Sequence, residues 1–293
     1  MPGIEKKHAS NISMPVHVYS SDQRSGVFST MKAVCRDFPV AHSLGFRFAE
    51  RNIRARYRQS ILGVLWALLP PLATAAIWII LNQSNIVTIN HAGGNYPLFV
   101  ITGTMLWSVF STAVTTPVQT IQANTSILVK INFPREALMI TAFYEILFST
   151  GIALVIIAAE IIYFQVPITG HTFLFFPAMI VLIIMGMCFG LLILPVAVLY
   201  KDIQFALPTL LQFAMYLTPV VYATPVFSGA AKILALNPVS PVLTSAREWL
   251  LGLDANVNWG LIGILAVISI FVLVIGIVIQ RIALELLIER MGT

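Results

Sequence analysis

Six stretches of the chain, 61–83, 97–121, 138–164, 173–199, 206–223 and 258–280, are each apolar over about the 20 residues that a helix needs to cross the hydrocarbon layer of a bilayer. No other feature restricts the fold as much. The runs are continuous rather than alternating, so they read as helices, which satisfy their own backbone polar groups inside lipid, and not as barrel strands. A soluble fold is excluded by the balance of residue types: 58% of the chain is hydrophobic and 10% charged, against about a quarter charged in soluble domains. The expected architecture is all-α: residues 1–38 as a flexible cytosolic tail, 39–60 as an amphipathic interfacial helix, and 61–293 as a domain of six transmembrane helices. Lys6 and Lys7 are not followed by an apolar core before Phe38, so no cleavable signal peptide is read at the N-terminus.

Orientation follows from lysine and arginine, which are retained on the cytoplasmic side. Ten of the seventeen lie before the first span: Lys6, Lys7, Arg24, Lys32, Arg36, Arg47, Arg51, Arg54, Arg56 and Arg58. With the N-terminus inside, six spans place Lys130, Arg135, Lys201, Arg281 and Arg290 inside as well. The connections 84–96 and 165–172 carry no basic residue and fall outside. Lys232 and Arg247 break the pattern. They lie in 224–257, where Pro225, Gly229, Pro238, Pro241 and Gly252 separate short apolar groups. Two short helices dipping back from outside over about 224–252, an outer re-entrant hairpin, fit this composition. A seventh span is the rival reading and would place the C-terminus outside.

Two polar segments stand out beside the spans. In FRFAERNIRARYRQS, residues 46–60, a rotation of 100° per residue gathers Arg47, Arg51, Arg54 and Arg58 within about 60°, with Phe46, Ile53 and Tyr57 on a neighbouring stripe. A helix lying in the interface has this layout. The arginines either only set topology or also attract an anionic lipid head group, since guanidinium pairs with phosphate in bidentate fashion. The segment 124–136, NTSILVKINFPRE, sets apolar residues beside Lys130, Phe133, Pro134, Arg135 and Glu136. It reads either as a greasy interfacial loop or as a short helix offered to a cytosolic partner. Within the third span, Glu160 lies near the outer end and should reach the interface. Glu145 lies about two turns inside, so it is protonated, paired with a polar group on another helix, or facing a wet cavity.

Several chemistries have no carrier. No G-x-x-x-x-G-K-[ST] phosphate loop occurs, and neither H-E-x-x-H nor G-x-S-x-G is present. Cys35 and Cys188 match no disulfide or metal spacing, and His91 and His171 have no companions. No catalytic or metal-binding residue is therefore assigned, and no cofactor is expected in this chain.

The residues Arg56 to Pro70, RYRQSILGVLWALLP, closely resemble the approach to the first span in the type-2 ABC exporter permeases of the polysaccharide, O-antigen, capsule and teichoic acid export family. Phe133-Pro134-Arg135-Glu136 resembles that family's loop after the second span, and Lys201-Asp202-Ile203 its loop after the fourth. Leu236-Asn237-Pro238 through Ala246-Arg247 is similar to its re-entrant segment. The resemblance implies a homodimer in the bacterial inner membrane with both termini cytoplasmic, and two copies of a separate ABC ATPase that carries ATP and magnesium. It further implies that 124–136 couples to the ATPase, that Asn237, Pro238 and Arg247 belong to an outer gate, and that the substrate is a polyprenyl-linked glycan. Membrane lipid, and not nucleic acid, is the other expected contact. Two other classes remain open from the residues alone. An ion-coupled secondary carrier would depend on Glu145, and a polyprenyl-phosphate-dependent glycosyltransferase on the scattered acids Glu136, Asp202, Glu248 and Asp254.

Overall fold

The computed structural model describes residues 27–58, 60–86, 95–130, 133–223, 237–252 and 259–291, and they form helices and short turns with no strand among them. In chain order the helices are α1 (Val27–Tyr57), α2 (Leu65–Gln83), α3 (Tyr96–Ala123), α4 (Thr125–Lys130), α5 (Glu136–Tyr163), α6 (Phe175–Leu199), α7 (Asp202–Tyr216), α8 (Val239–Leu251) and α9 (Trp259–Met291), with a 3₁₀ turn at Gly170–Leu174 leading into α6. α1 begins at Val27, upstream of the boundary expected at residue 39. α2 continues through Pro70 and Pro71, with the Thr74 hydroxyl donating to the Pro70 carbonyl at 2.9 Å.

Among the described residues, five helices are long and apolar enough to cross a membrane: Leu65–Gln83, Tyr96–Ala123, Glu136–Tyr163, Gly170–Leu199 and Trp259–Arg281. The chain is thus a multi-pass membrane protein. The run at 206–223 does not form one long helix. α7 has 15 residues, or about 22 Å at 1.5 Å per residue, short of a hydrocarbon layer of about 30 Å. It ends at Tyr216 because Pro219, with its fixed φ and no N–H, cannot extend it. Leu217–Val221 is held instead by local turns, including Thr218 N–H to the Met215 carbonyl at 3.2 Å. Of the expected outer hairpin, α8 is present, whereas residues 224–236 lie outside the described residues.

α3 is the central helix, buried along most of its length. It packs most extensively on α6, where Gly186 and Gly190 let the two backbones approach. A Cβ on Gly186 would lie 2.6 Å from the Ala113 Cβ, and one on Gly190 would strike the Val114 carbonyl. Small residues four apart are the usual device for close packing in membranes, where apolar attraction between helices is weak. α9 covers the other side of α6, with Gly276 against Leu191 and the Cys188 thiol donating to the Ser269 carbonyl at 2.9 Å.

α1 lies along the first half of α5 through a second stripe of small residues. Ala41, Gly45 and Ala49 are buried, and a Cβ on Gly45 would lie 2.7 Å from the Ala137 carbonyl. The Thr141 hydroxyl closes the contact by donating to the Ala137 carbonyl at 2.7 Å and approaching that of Gly45 at 3.1 Å. This face of α1 is about opposite the arginine stripe, at 100° per residue.

Cross-links between helices define the two ends of the bundle. The Gln122 amide donates to the Ala197 carbonyl at 2.9 Å, placing the C-terminal ends of α3 and α6 together. At the other end the Tyr96 hydroxyl donates to the Val221 carbonyl at 3.1 Å. Gly252, at φ 66°, sits beside Pro167 and Thr169, and Trp249 stacks on Trp259 at 4.9 Å.

Candidate functional site

Three elements meet at the bundle end that carries the 124–135 connection. Arg51 on α1 donates through Nη2 to Asn124 Oδ1 at 2.8 Å, while Asn124 Nδ2 donates to the Thr120 carbonyl at 2.7 Å. The same guanidinium lies over the Phe48 ring at 4.9 Å, and Phe48 meets Phe133 edge-on at 5.8 Å. α1 therefore grips both ends of the connection. At its far end Glu136 accepts from Arg281 Nη1 at 2.6 Å, and Arg135 Nη1 approaches the Arg281 carbonyl at 3.4 Å, tying α5 to α9. Pro134 precedes the first turn of α5 and is buried beside Phe133. Lys130 closes α4, and its side chain lies outside the described residues.

About two and a half turns further along α5, Glu145 is 3% exposed. It accepts from Asn52 Nδ2 at 2.8 Å and from Arg56 Nη2 at 3.0 Å, both on α1. Of the three readings open for this carboxylate, pairing with another helix is the one observed. A buried carboxylate so held is paired and hydrogen-bonded, which is what burial of a charge requires.

The expected basic stripe is exposed. Arg47, Arg51, Arg54 and Arg58 all face outward, with Arg54 paired to Glu50 at 2.5 Å. Arg51, Arg54, Ala55 and Arg58 line a groove of about 590 Å³ on this surface. Three like charges around one groove suit an anion, although Arg51 is also committed to Asn124.

At the opposite end Arg247 on α8 is 2% exposed. Its guanidinium lies 3.6 Å above the Phe99 ring, and Nη1 donates to the carbonyls of Pro219 and Val220 at 3.1 and 2.9 Å. These carbonyls belong to the stretch where α7 has stopped being helical, so the arginine satisfies backbone that lipid cannot. Gly103 makes room, since a Cβ there would strike the Val220 carbonyl. Asn237 bridges the same region: Nδ2 donates to Thr218 Oγ1 at 2.9 Å and Oδ1 accepts from the Val239 N–H at 3.0 Å, across Pro238. Glu160 does not reach the interface as expected. It is buried, with Oε2 accepting from the Thr102 hydroxyl at 3.3 Å. Among the described residues no group of three or more His, Cys, Asp or Glu could hold a metal ion.

Asn52, Arg56, Asn124 and Arg281 are central to this arrangement and were not singled out from the sequence. A helical wheel offered a signal for two of them: Ala41, Gly45, Ala49, Asn52 and Arg56 share one face of α1, within about 80° at 100° per residue. No local pattern marks Asn124 or Arg281, whose partners are distant in sequence.

The chain is 29% identical to the O-antigen export system permease protein RfbA of Myxococcus xanthus over 222 residues, covering 73% of this chain and 83% of that protein. It is 25% identical to a protein of the same name from Klebsiella pneumoniae over 250 residues, covering 82% and 94%. Residues 46–251 match the family described as ABC-2 type transporter. That match runs from the arginine stripe of α1 to the end of α8 and takes in both ends of the bundle, and the chain belongs to the ABC-2 type transporter family.

Proposed function

We propose that this chain is the permease subunit of an ABC exporter of O-antigen or a related lipid-linked polysaccharide, working as a homodimer in the bacterial inner membrane with a separate ATPase on each subunit. The family supports a transport role, and the similarity to O-antigen export permeases supports O-antigen as the cargo. With no phosphate loop in the sequence, ATP hydrolysis belongs to another chain. Both termini lie on the cytoplasmic side. Six crossings follow if α7 and the irregular 217–221 segment together form the fifth. In support, α7 starts near the α3–α6 C-terminal end, and Val221 lies against Tyr96 at the other. α8 is then the described part of an outer re-entrant segment, with Asn237, Pro238 and Arg247 holding its root.

The observation that carries the coupling role is the triple attachment of the 124–136 connection, to α1 through Asn124 and Phe133 and to α9 through Glu136. A push by an ATPase on this connection reaches α1, α5 and α9 at once. Replacing Phe133, Arg135 and Glu136 together by alanine is expected to leave the ATPase hydrolysing ATP while glycan export stops. Surface glycan and ATP turnover measured on the co-purified complex check this, and undiminished export in the triple variant would remove the coupling assignment. The Arg56–Glu145 pair weighs against ion coupling through Glu145, since that carboxylate is already engaged.

A further inference from the structure

One helix face remains unexplained by packing, coupling or the outer gate. On α3, Ser108, Thr112, Thr115, Thr116 and Gln119 recur at helical spacing, and they open on a cavity of about 190 Å³ walled by α2 and α5. Ser149 faces them from α5, Ala67 and Leu68 close it from α2, and Arg56 and Tyr57 stand at its edge. From Ser108 to Gln119 the polar face runs about 16 Å at 1.5 Å per residue. The hydroxyls of Ser108, Thr115 and Thr116 donate to the α3 carbonyls of Met105, Ser111 and Thr112 at 2.8, 3.0 and 2.7 Å. Each hydroxyl oxygen can still accept from something in the cavity.

We infer that this cavity holds uncharged, hydroxyl-rich segments of the glycan on their way through the permease, with the α3 face and Ser149 as the contacting groups. This rests on the export reading above and names the part of the chain that meets the cargo. Hydroxyl and amide linings exchange hydrogen bonds with sugar hydroxyls as they do with water, so a glycan passes without a large desolvation cost. The Tyr57 ring adds an apolar face for sugar C–H edges. An anionic occupant fits less well, because Arg56 is the single charged group of the lining and Glu145 already neutralises it at 3.0 Å. The volume accommodates about six waters at roughly 30 Å³ each, so the cavity is large enough to be wet between cargo units.

The full chain, expressed with its ATPase in a strain that makes a lipid-linked O-antigen and lacks its own permease, provides the test. The triple variant Thr112→Val, Thr115→Val and Ser149→Ala keeps side-chain shape and removes three hydroxyls. Surface glycan should fall by about tenfold, the factor carried by roughly one net hydrogen bond of differential binding, while the amount of chain in the membrane stays the same. In a background carrying Cys35→Ser and Cys188→Ala, Thr112→Cys and Ser149→Cys should react with a hydrophilic methanethiosulfonate, and more slowly when glycan is being made than when its synthesis is blocked. The control Ile180→Cys, on the exposed apolar face of α6, should do neither. Normal export by the triple variant, labelling that ignores glycan synthesis and so reports water only, or labelling no better than the control each overturns the inference. A wild-type chain that restores no surface glycan in this strain instead removes the export reading, and the inference with it.

Discussion

At the scale of single residues, the Arg56–Glu145 pair shows why an intramembrane charge is informative before its partner is known. The cost of burying a carboxylate requires some compensation near Glu145, and the structure supplies it from α1 rather than from another spanning helix. Removing one partner leaves the other uncompensated. Arg56→Gln should destabilise the chain by about 1–3 kcal/mol, less than the loss expected of a fully buried pair, because the Arg56 side chain is 45% exposed. The double variant Arg56→Gln, Glu145→Gln should be more stable than the single, since no unpaired charge remains. Thermal unfolding of the full chain in detergent decides between them; equal midpoints would show that the pair carries no coupling. Arg247, a basic residue that the sequence places on the outer side against the topology rule, lies at the end of the bundle opposite the 124–136 connection. Its charge is spent on the Phe99 ring and two carbonyls, so it obeys backbone satisfaction rather than the topology rule.

At the scale of elements, close helix packing depends on where side chains are missing. Gly186 and Gly190 on α6 form a small-x-x-x-small pair, and such spacing alone does not say which helix it faces. α3 answers that, and Gly190→Val should destabilise the α3–α6 contact by about 1–3 kcal/mol, since the added methyls meet backbone rather than a movable side chain. The check is the yield and thermal midpoint of the variant beside Gly151→Val, a site where an added Cβ meets nothing within 4 Å. Equal behaviour of the two would dismiss the contact. α7 illustrates the converse, an element whose apolar run was legible and whose form was not. Pro219 stops the helix early, and the run survives because distant Arg247 and Asn237 satisfy the backbone and hydroxyl groups that follow.

At the scale of the whole molecule, the chain has two differently built ends. One gathers Arg51, Asn124, Phe133, Glu136 and Arg281, and the other gathers Tyr96, Arg247, Asn237 and the 167–174 turn. If the first end is cytoplasmic, Lys201→Cys should resist a membrane-impermeant thiol reagent in intact spheroplasts, and Thr169→Cys should react, in the Cys35→Ser, Cys188→Ala background. Labelling in the reverse order would invert the topology. Membrane residence, helical class and the positions of five spans were determined by the sequence alone, because apolar length and basic-residue bias act locally and need no partner. The partner of Glu145, the face of α1 that packs and the break after α7 were decided by the tertiary structure. Each depends on groups tens of residues apart that only folding brings within hydrogen-bond distance.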